Sequence, residues 1–126
     1  MCDDLRVAVT VLVVDDHPSF RRFARELLEA DGFVVVDEAA DGASALAAAR
    51  ALRPHVVLLD VLLPDTSGFE VAERLGSDSS GPVVILTSSR SADDLGEAVA
   101  RSSARGFIAK ADLTATAVAE LVDRAT

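Results

Sequence analysis

The chain has 126 residues, half of them apolar, with four prolines and a net charge of −9, which supports one domain with a real core and excludes general disorder. The acidic balance argues against direct nucleic-acid binding by this domain. No apolar run approaches the roughly 20 residues that span a bilayer, and Asp3 and Asp4 stand where a signal peptide would be basic. Cys2 is the single cysteine, so an internal disulfide is excluded and a reducing, cytoplasmic setting is expected.

Residues 1–8 read as a short polar lead-in. Residues 9–14 form an apolar run of the kind buried on both faces of a parallel sheet, and it ends in Asp15-Asp16-His17-Pro18. Pro18 suits the first turn of a helix, where its missing N–H costs nothing. That helix places Phe20, Phe23, Ala24, Leu27 and Leu28 on one face, with Arg21, Arg22, Arg25, Glu26 and Glu29 opposite as a solvated face. Asp31-Gly32 ends it.

Residues 33–38 are a second strand whose polar end suits a sheet edge. Asp41-Gly42 starts an alanine-rich helix to about Leu52, with Leu46, Ala49 and Leu52 inward, and Arg53-Pro54 stops it. His55 reads as a surface residue at the entry of the third strand, 56–60, four apolar residues followed by Asp60. A short helix runs from Gly68 to about Leu75, and 76–81 is a loop by composition. The fourth strand, 82–87, ends in Thr87, and a modest helix covers 93–102. The fifth strand, 106–110, ends in Lys110. Thr114 caps a last helix that carries Val118, Leu121, Val122 and Ala125 on one face. Five alternations of strand and helix predict an α/β fold, a parallel sheet covered on both faces by right-handed crossovers. In such sheets, sites form outside the carboxyl ends of the strands at the topological switch point.

The residues at those ends converge on one chemistry. The first strand supplies Asp15 and Asp16, the third Asp60, the fourth Thr87 and the fifth Lys110, while the second supplies nothing obvious. Lys110 is the sole lysine among twelve basic residues, a compact point charge where arginine is used elsewhere. Three carboxylates and one ammonium leave the set near −2, and crowded carboxylates repel one another. A hard divalent cation would neutralise them, and Mg²⁺ fits because it takes one or two carboxylates and leaves room for phosphate oxygens. An ionised aspartate beside a cation and a lysine is a plausible nucleophile toward phosphorus.

With these residues in order, the sequence resembles the receiver domain of two-component response regulators over essentially its whole length. Asp15-Asp16, Asp60, Pro64 and Gly68 four and eight residues later, Thr87, Phe107 and Lys110 carry the resemblance. It implies a flavodoxin-like (βα)5 fold with strand order 2-1-3-4-5, a single receiver domain over 1–126, and a phosphoacceptor rather than an enzyme. Asp60 would be phosphorylated by a histidine kinase or phosphotransfer protein. Asp15, Asp16, Asp60 and the backbone carbonyl of Leu62 would serve Mg²⁺, with Asp15 acting largely through water. Lys110 would pair with the phosphoryl group and Thr87 would hydrogen-bond it. Phe107 would follow Thr87 inward, remodelling the surface of the fourth helix, fifth strand and fifth helix. A phosphorylation-linked homodimer is a further expectation.

Departures from the family pattern carry their own expectations. Ala111 follows Lys110 where many members have proline, so a trans peptide is expected there. The Lys-Ala-Asp-Leu form, with the Asp-Asp-His-Pro start, is similar to the branch with C-terminal helix-turn-helix effectors. No effector segment lies within the 126 residues, which suits a stand-alone receiver or one domain of a longer protein. Ser102-Ser103 replaces the family's Ala-Gly; a left-handed cap without glycine is mildly costly, and with few large apolar residues nearby a loose end to the fourth helix is expected. Leu62 and Ser89 flank the family's route for attacking water, and Leu62 cannot orient one, so slow self-dephosphorylation is expected. His17 reads as a solvated turn residue before a catalytic base. The strongest rival is a pseudo-receiver that binds protein without being phosphorylated. A nucleotide or flavin site is set aside because residues 15–20 contain no glycine.

Overall fold

In the computed structural model, described over residues 8–76, 81–89 and 92–125, five strands form one parallel sheet in the order β2-β1-β3-β4-β5. The strands are β1 (Thr10–Val14), β2 (Val34–Ala39), β3 (Val56–Asp60), β4 (Val83–Ser88) and β5 (Gly106–Ala109). The helices are α1 (Pro18–Ala30), α2 (Gly42–Leu52), α3 (Gly68–Gly76), α4 (Ala92–Arg101) and α5 (Ala115–Ala125). A 3-10 turn, Lys110–Asp112, follows β5. The fold is flavodoxin-like, as expected, and the polar second strand is an edge. The lead-in at 1–7 and most of the loop expected at 76–81 lie outside the described residues.

The sheet separates two apolar layers. On one side Leu12, Val14, Val57, Leu59, Val84 and Leu86 meet Ala45 and Ala49 of α2 and Val71, Ala72 and Leu75 of α3, with Val99 of α4 against them. On the other, Val11, Val13, Val56, Leu58 and Ile85 meet Ala24 and Leu28 of α1 and Val118 of α5. All five residues of β3 are buried, so its four apolar side chains serve both layers, as an unalternated run in a parallel sheet should. The chain reverses direction between β1 and β3, and their carboxyl ends open the crevice where such folds place a site.

Some expected placements change. Phe23 is 47% exposed rather than core, because the inward stripe of α1 runs through Ala24 and Leu28 and leaves position 23 at its margin. Its ring tilts against that of Phe20, 6.2 Å away. Leu52 is 46% exposed at the last residue of α2, where the chain leaves through Arg53 in a left-handed conformation (φ 47°). Arg21 and Arg25 are not a simple solvated face: both bridge to Glu38 on β2.

The α4 end is not a left-handed cap, since Arg53 is the sole non-glycine with positive φ among the described residues. Ser102 supplies the closure instead. Its hydroxyl donates to the Val99 carbonyl at 2.7 Å and accepts from the Ala104 N–H at 3.2 Å, and Ser103 Oγ donates to Glu73 at 3.0 Å. His55 sits at the surface and links the starts of β1 and β3. Its Nδ1 accepts from the Thr10 N–H at 3.0 Å, while its own N–H donates to Thr10 Oγ1 at 3.0 Å. No peptide bond is cis among the described residues, which includes the one after Lys110.

Candidate functional site

Asp15, the first residue past β1, is fully buried and held from every side. Its N–H continues the ladder to the Ala39 carbonyl of β2 at 3.0 Å. Its Oδ1 accepts from the His17 N–H at 2.9 Å and lies 2.8 Å from His17 Nδ1, while Lys110 Nζ lies 2.6 Å from Oδ2. Asp16 is exposed, with Oδ1 3.1 Å from the same His17 Nδ1. A ring nitrogen this close to two carboxylates is the one that carries the proton. His17 is therefore in solvent, as expected, but also bridges the two acids.

Asp60 ends β3 and is 4% exposed. Oδ1 accepts from the Leu62 N–H at 3.2 Å and Oδ2 lies 3.3 Å from Lys110 Nζ. Burial, and then the charge of Asp15, push the Asp60 carboxyl above its ordinary pKa; the Leu62 N–H and Lys110 pull the other way and do not offset them. Lys110 opens the 3-10 turn after β5 and spans Asp15 and Asp60. Burial opposes its charge, but the two carboxylates outweigh burial and hold the ammonium above its ordinary pKa. The same ammonium sits 4.6 Å over the Phe20 ring, a cation–π contact that holds the long side chain over the crevice.

Thr87 is the register partner of Asp60 across β3 and β4, and its carbonyl accepts from the Val61 N–H at 2.9 Å. Its side chain is fully buried, and Oγ1 has no hydrogen-bond partner among the described residues. A buried hydroxyl without a partner is unfavourable, so this one stands ready for an acceptor oxygen. Leu62 is 77% exposed beside the acid it flanks. Gly68 N–H donates to the Val61 carbonyl at 2.6 Å, and a Cβ at Gly68 would collide with the Asp60 carbonyl. That is the physical reason for a glycine eight residues after the aspartate. Phe107 of β5 is half-buried opposite Leu86 and packs on the α2–α4 side of the sheet.

Asp15, Asp16, Asp60, Thr87 and Lys110 therefore share one edge. Asp15, Asp16 and Asp60 each offer a carboxylate oxygen, and these atoms lie within 4.8 Å of one another and of a ring nitrogen of His17. This cluster of carboxylate oxygens could hold a metal, and its composition suits a hard cation. Residues that pattern-reading passed over also bear on the edge. Arg21 donates to the Asp15 carbonyl, Phe20 lies under Lys110, and Asp65 caps α2. A complementary Arg and Glu at the facing ends of α1 and β2 was the available signal for the first.

An open α/β sheet with an acidic crevice at its switch point, a buried free hydroxyl and one lysine defines the class. The chain belongs to the response regulator receiver domain family, whose model matches residues 11–122. It is 41% identical over 102 residues to the nitrate/nitrite response regulator protein NarP of Escherichia coli, covering 79% of this chain and 47% of NarP. It is 37% identical over 89 residues to a protein-glutamate methylesterase/protein-glutamine glutaminase of Hahella chejuensis, covering 71% of this chain and 25% of that protein. Among solved structures, it superposes on a LuxR-family two-component response regulator of Aurantimonas with TM-score 0.84 and 25% identity, covering 94% of this chain and 87% of that one. The chain spans 33% to 48% of the length of the first curated relatives it matches. Relatives thus include both transcriptional regulators and enzymes. No helix among the described residues is long and apolar enough to cross a membrane.

Proposed function

We propose that this receiver domain takes a phosphoryl group onto Asp60 from the phosphohistidine of a histidine kinase or phosphotransfer protein in the cytoplasm. The observation that carries the reading is Lys110 Nζ between Asp15 and Asp60, at 2.6 and 3.3 Å, beside the unpartnered hydroxyl of Thr87. A carboxylate oxygen of Asp60 attacks phosphorus, the P–O bond forms as the P–N bond breaks, and the leaving imidazole takes a proton from solvent. Lys110 meets the charge on the transferred oxygens and Thr87 donates its hydrogen bond to one of them. Asp16, Asp60 and the carbonyl of Leu62, with Asp15 acting largely through water, would hold Mg²⁺, which would supply the charge neutralisation that a dianionic phosphoryl group beside three carboxylates requires.

The domain turns over no separate substrate in this reading. It is a single receiver whose output passes through Thr87 and Phe107 to the α4, β5 and α5 surface, toward an effector or a second copy of the chain. Adding a phosphoryl group removes the free hydroxyl of Thr87 and draws Lys110 from Asp15, a local change that biases a two-state element. The test is incubation with Mg²⁺ and acetyl phosphate, read by intact mass and by acid–base lability of the adduct. One phosphoryl group is expected, absent in Asp60→Asn and without EDTA-resistant labelling. No adduct, together with no response to beryllofluoride, would favour the pseudo-receiver.

A further inference from the structure

The edge strand β2 offers no residue to the crevice, yet its end is tied to the acid pair. Glu38 Oε1 accepts from Arg21 Nε at 3.1 Å, and Arg21 Nη1 donates to the Asp15 carbonyl at 2.6 Å. Ala39, the next residue on the strand, accepts the Asp15 N–H at 3.0 Å. Both main-chain polar groups of Asp15 are thus fixed from the end of β2, one directly and one through a guanidinium. Arg21 and Glu38 are 18% and 26% exposed, and the second oxygen of Glu38 lies 3.1 Å from Arg25 Nη1, so the carboxylate that aims Arg21 is itself held. A peptide is planar. A clamped Asp15 carbonyl therefore fixes the plane that leads into Asp16 and limits where the Asp16 carboxylate can go.

We propose that Arg21, aimed by Glu38, is a positioning residue for the divalent-cation site and sets how tightly Asp15 and Asp16 hold a metal without touching it. The inference rests on reading Asp15, Asp16 and Asp60 as that site. Charge and positioning predict opposite signs. A guanidinium near a cation repels it, so charge alone makes removal of Arg21 tighten binding. Positioning makes the same removal loosen it, because the ligand pair loses its fixed plane. Partners beyond the ligands commonly change metal affinity by about 10- to 100-fold when replaced.

The experiment uses the whole 126-residue chain and Mn²⁺ alone as probe, titrated at constant ionic strength and read by the free-ion electron paramagnetic resonance signal. Arg21→Lys keeps the charge and loses the fork, and Arg21→Gln loses both; each is expected to weaken binding about tenfold. Glu38→Gln should weaken it too. The double variant Arg21→Gln with Glu38→Gln should bind no worse than Arg21→Gln, since one link is cut twice. In metal-free protein, the amide hydrogens of Asp16 and His17 should exchange faster in each variant. Unchanged or tighter binding in Arg21→Gln, additive losses in the double variant, or unchanged amide exchange would each overturn the proposal. Should an Arg21 variant fail to fold, Glu38→Gln keeps the arginine and carries the same comparison. A parent chain that binds no Mn²⁺ would overturn the cation reading instead, while the amide exchange still decides for or against positioning.

Discussion

Leu62 is the residue where this site departs most in chemistry from a polar active-site rim. Its side chain is 77% exposed, yet its N–H holds Asp60 Oδ1 at 3.2 Å, so the backbone is tied to the carboxylate while the alkyl group is left in solvent. Water attacking an aspartyl phosphate needs an acceptor to orient it, and leucine offers none. Leu62→Asn adds one hydrogen bond to that water, worth about 1 kcal/mol net, which corresponds to roughly 5-fold in rate. Phosphoryl loss from Asp60 should therefore quicken by about that factor in Leu62→Asn, followed as decay of the adduct after acetyl phosphate is removed. The substitution leaves the N–H to Asp60 in place, so uptake of the phosphoryl group should change little. An unchanged decay rate would sink the idea.

At the scale of elements, the segment after Asp60 doubles as a cap for a neighbouring helix. Asp41 caps α2 from its own side by accepting from the Ser44 N–H at 2.7 Å. Asp65, in the β3–α3 connection, accepts from the Gly42 and Ala43 N–H groups at 2.8 and 3.1 Å. The Gly42 N–H, reinforced by Ala43, holds the Asp65 carboxyl below its ordinary pKa. The folded protein thus binds this proton less tightly than the unfolded chain. Ionised Asp65 stabilises the fold above the ordinary carboxylate range, and the contribution disappears as pH falls through its lowered value. Urea unfolding should find Asp65→Asn less stable than the parent near neutral pH, with the gap closing in acid; a gap constant with pH would refute the assignment. This cap was not legible in the sequence, and the Arg21 clamp only as a complementary Arg and Glu on facing elements, whereas the strands and the five edge residues were. Unbroken apolar runs such as residues 56–59 specify buried parallel strands locally, and a polar residue ending each run marks the edge without any knowledge of contacts. Asp65 and Arg21 act through partners 23 and 17 positions away, and helical periodicity sorts a residue as in or out without seeing a guanidinium that reaches back to a carbonyl. The Ser102 closure of α4 was missed for a related reason, because the missing glycine was visible and the hydroxyl's replacement bonds were not.

For the whole molecule, site and fold pull against each other. The chain carries a net charge of −9, and three of its carboxylates stand at one crevice with a single ammonium between two of them. Burial and Asp15 make ionised Asp60 unfavourable in the fold, so the metal-free protein is less stable near neutral pH than its packing allows. A ligand that binds the folded crevice and not the unfolded chain returns that stability by mass action. At a Mg²⁺ concentration ten times its Kd the gain is about 1.4 kcal/mol, which for a domain of this size corresponds to about 5 °C in Tm. Sodium chloride at matched ionic strength should do much less, because diffuse screening acts over about 10 Å and reaches buried pairs weakly. The Mg²⁺ shift should be reversed by EDTA and lost in Asp16→Asn, an exposed residue whose replacement should leave the packing of both apolar layers intact. Thermal unfolding followed by far-ultraviolet circular dichroism, with no aromatic reporter but phenylalanine, is the suitable readout. An equal rise with sodium chloride, or a rise that survives in Asp16→Asn, would place the stabilisation in general charge screening and remove the crevice from the account.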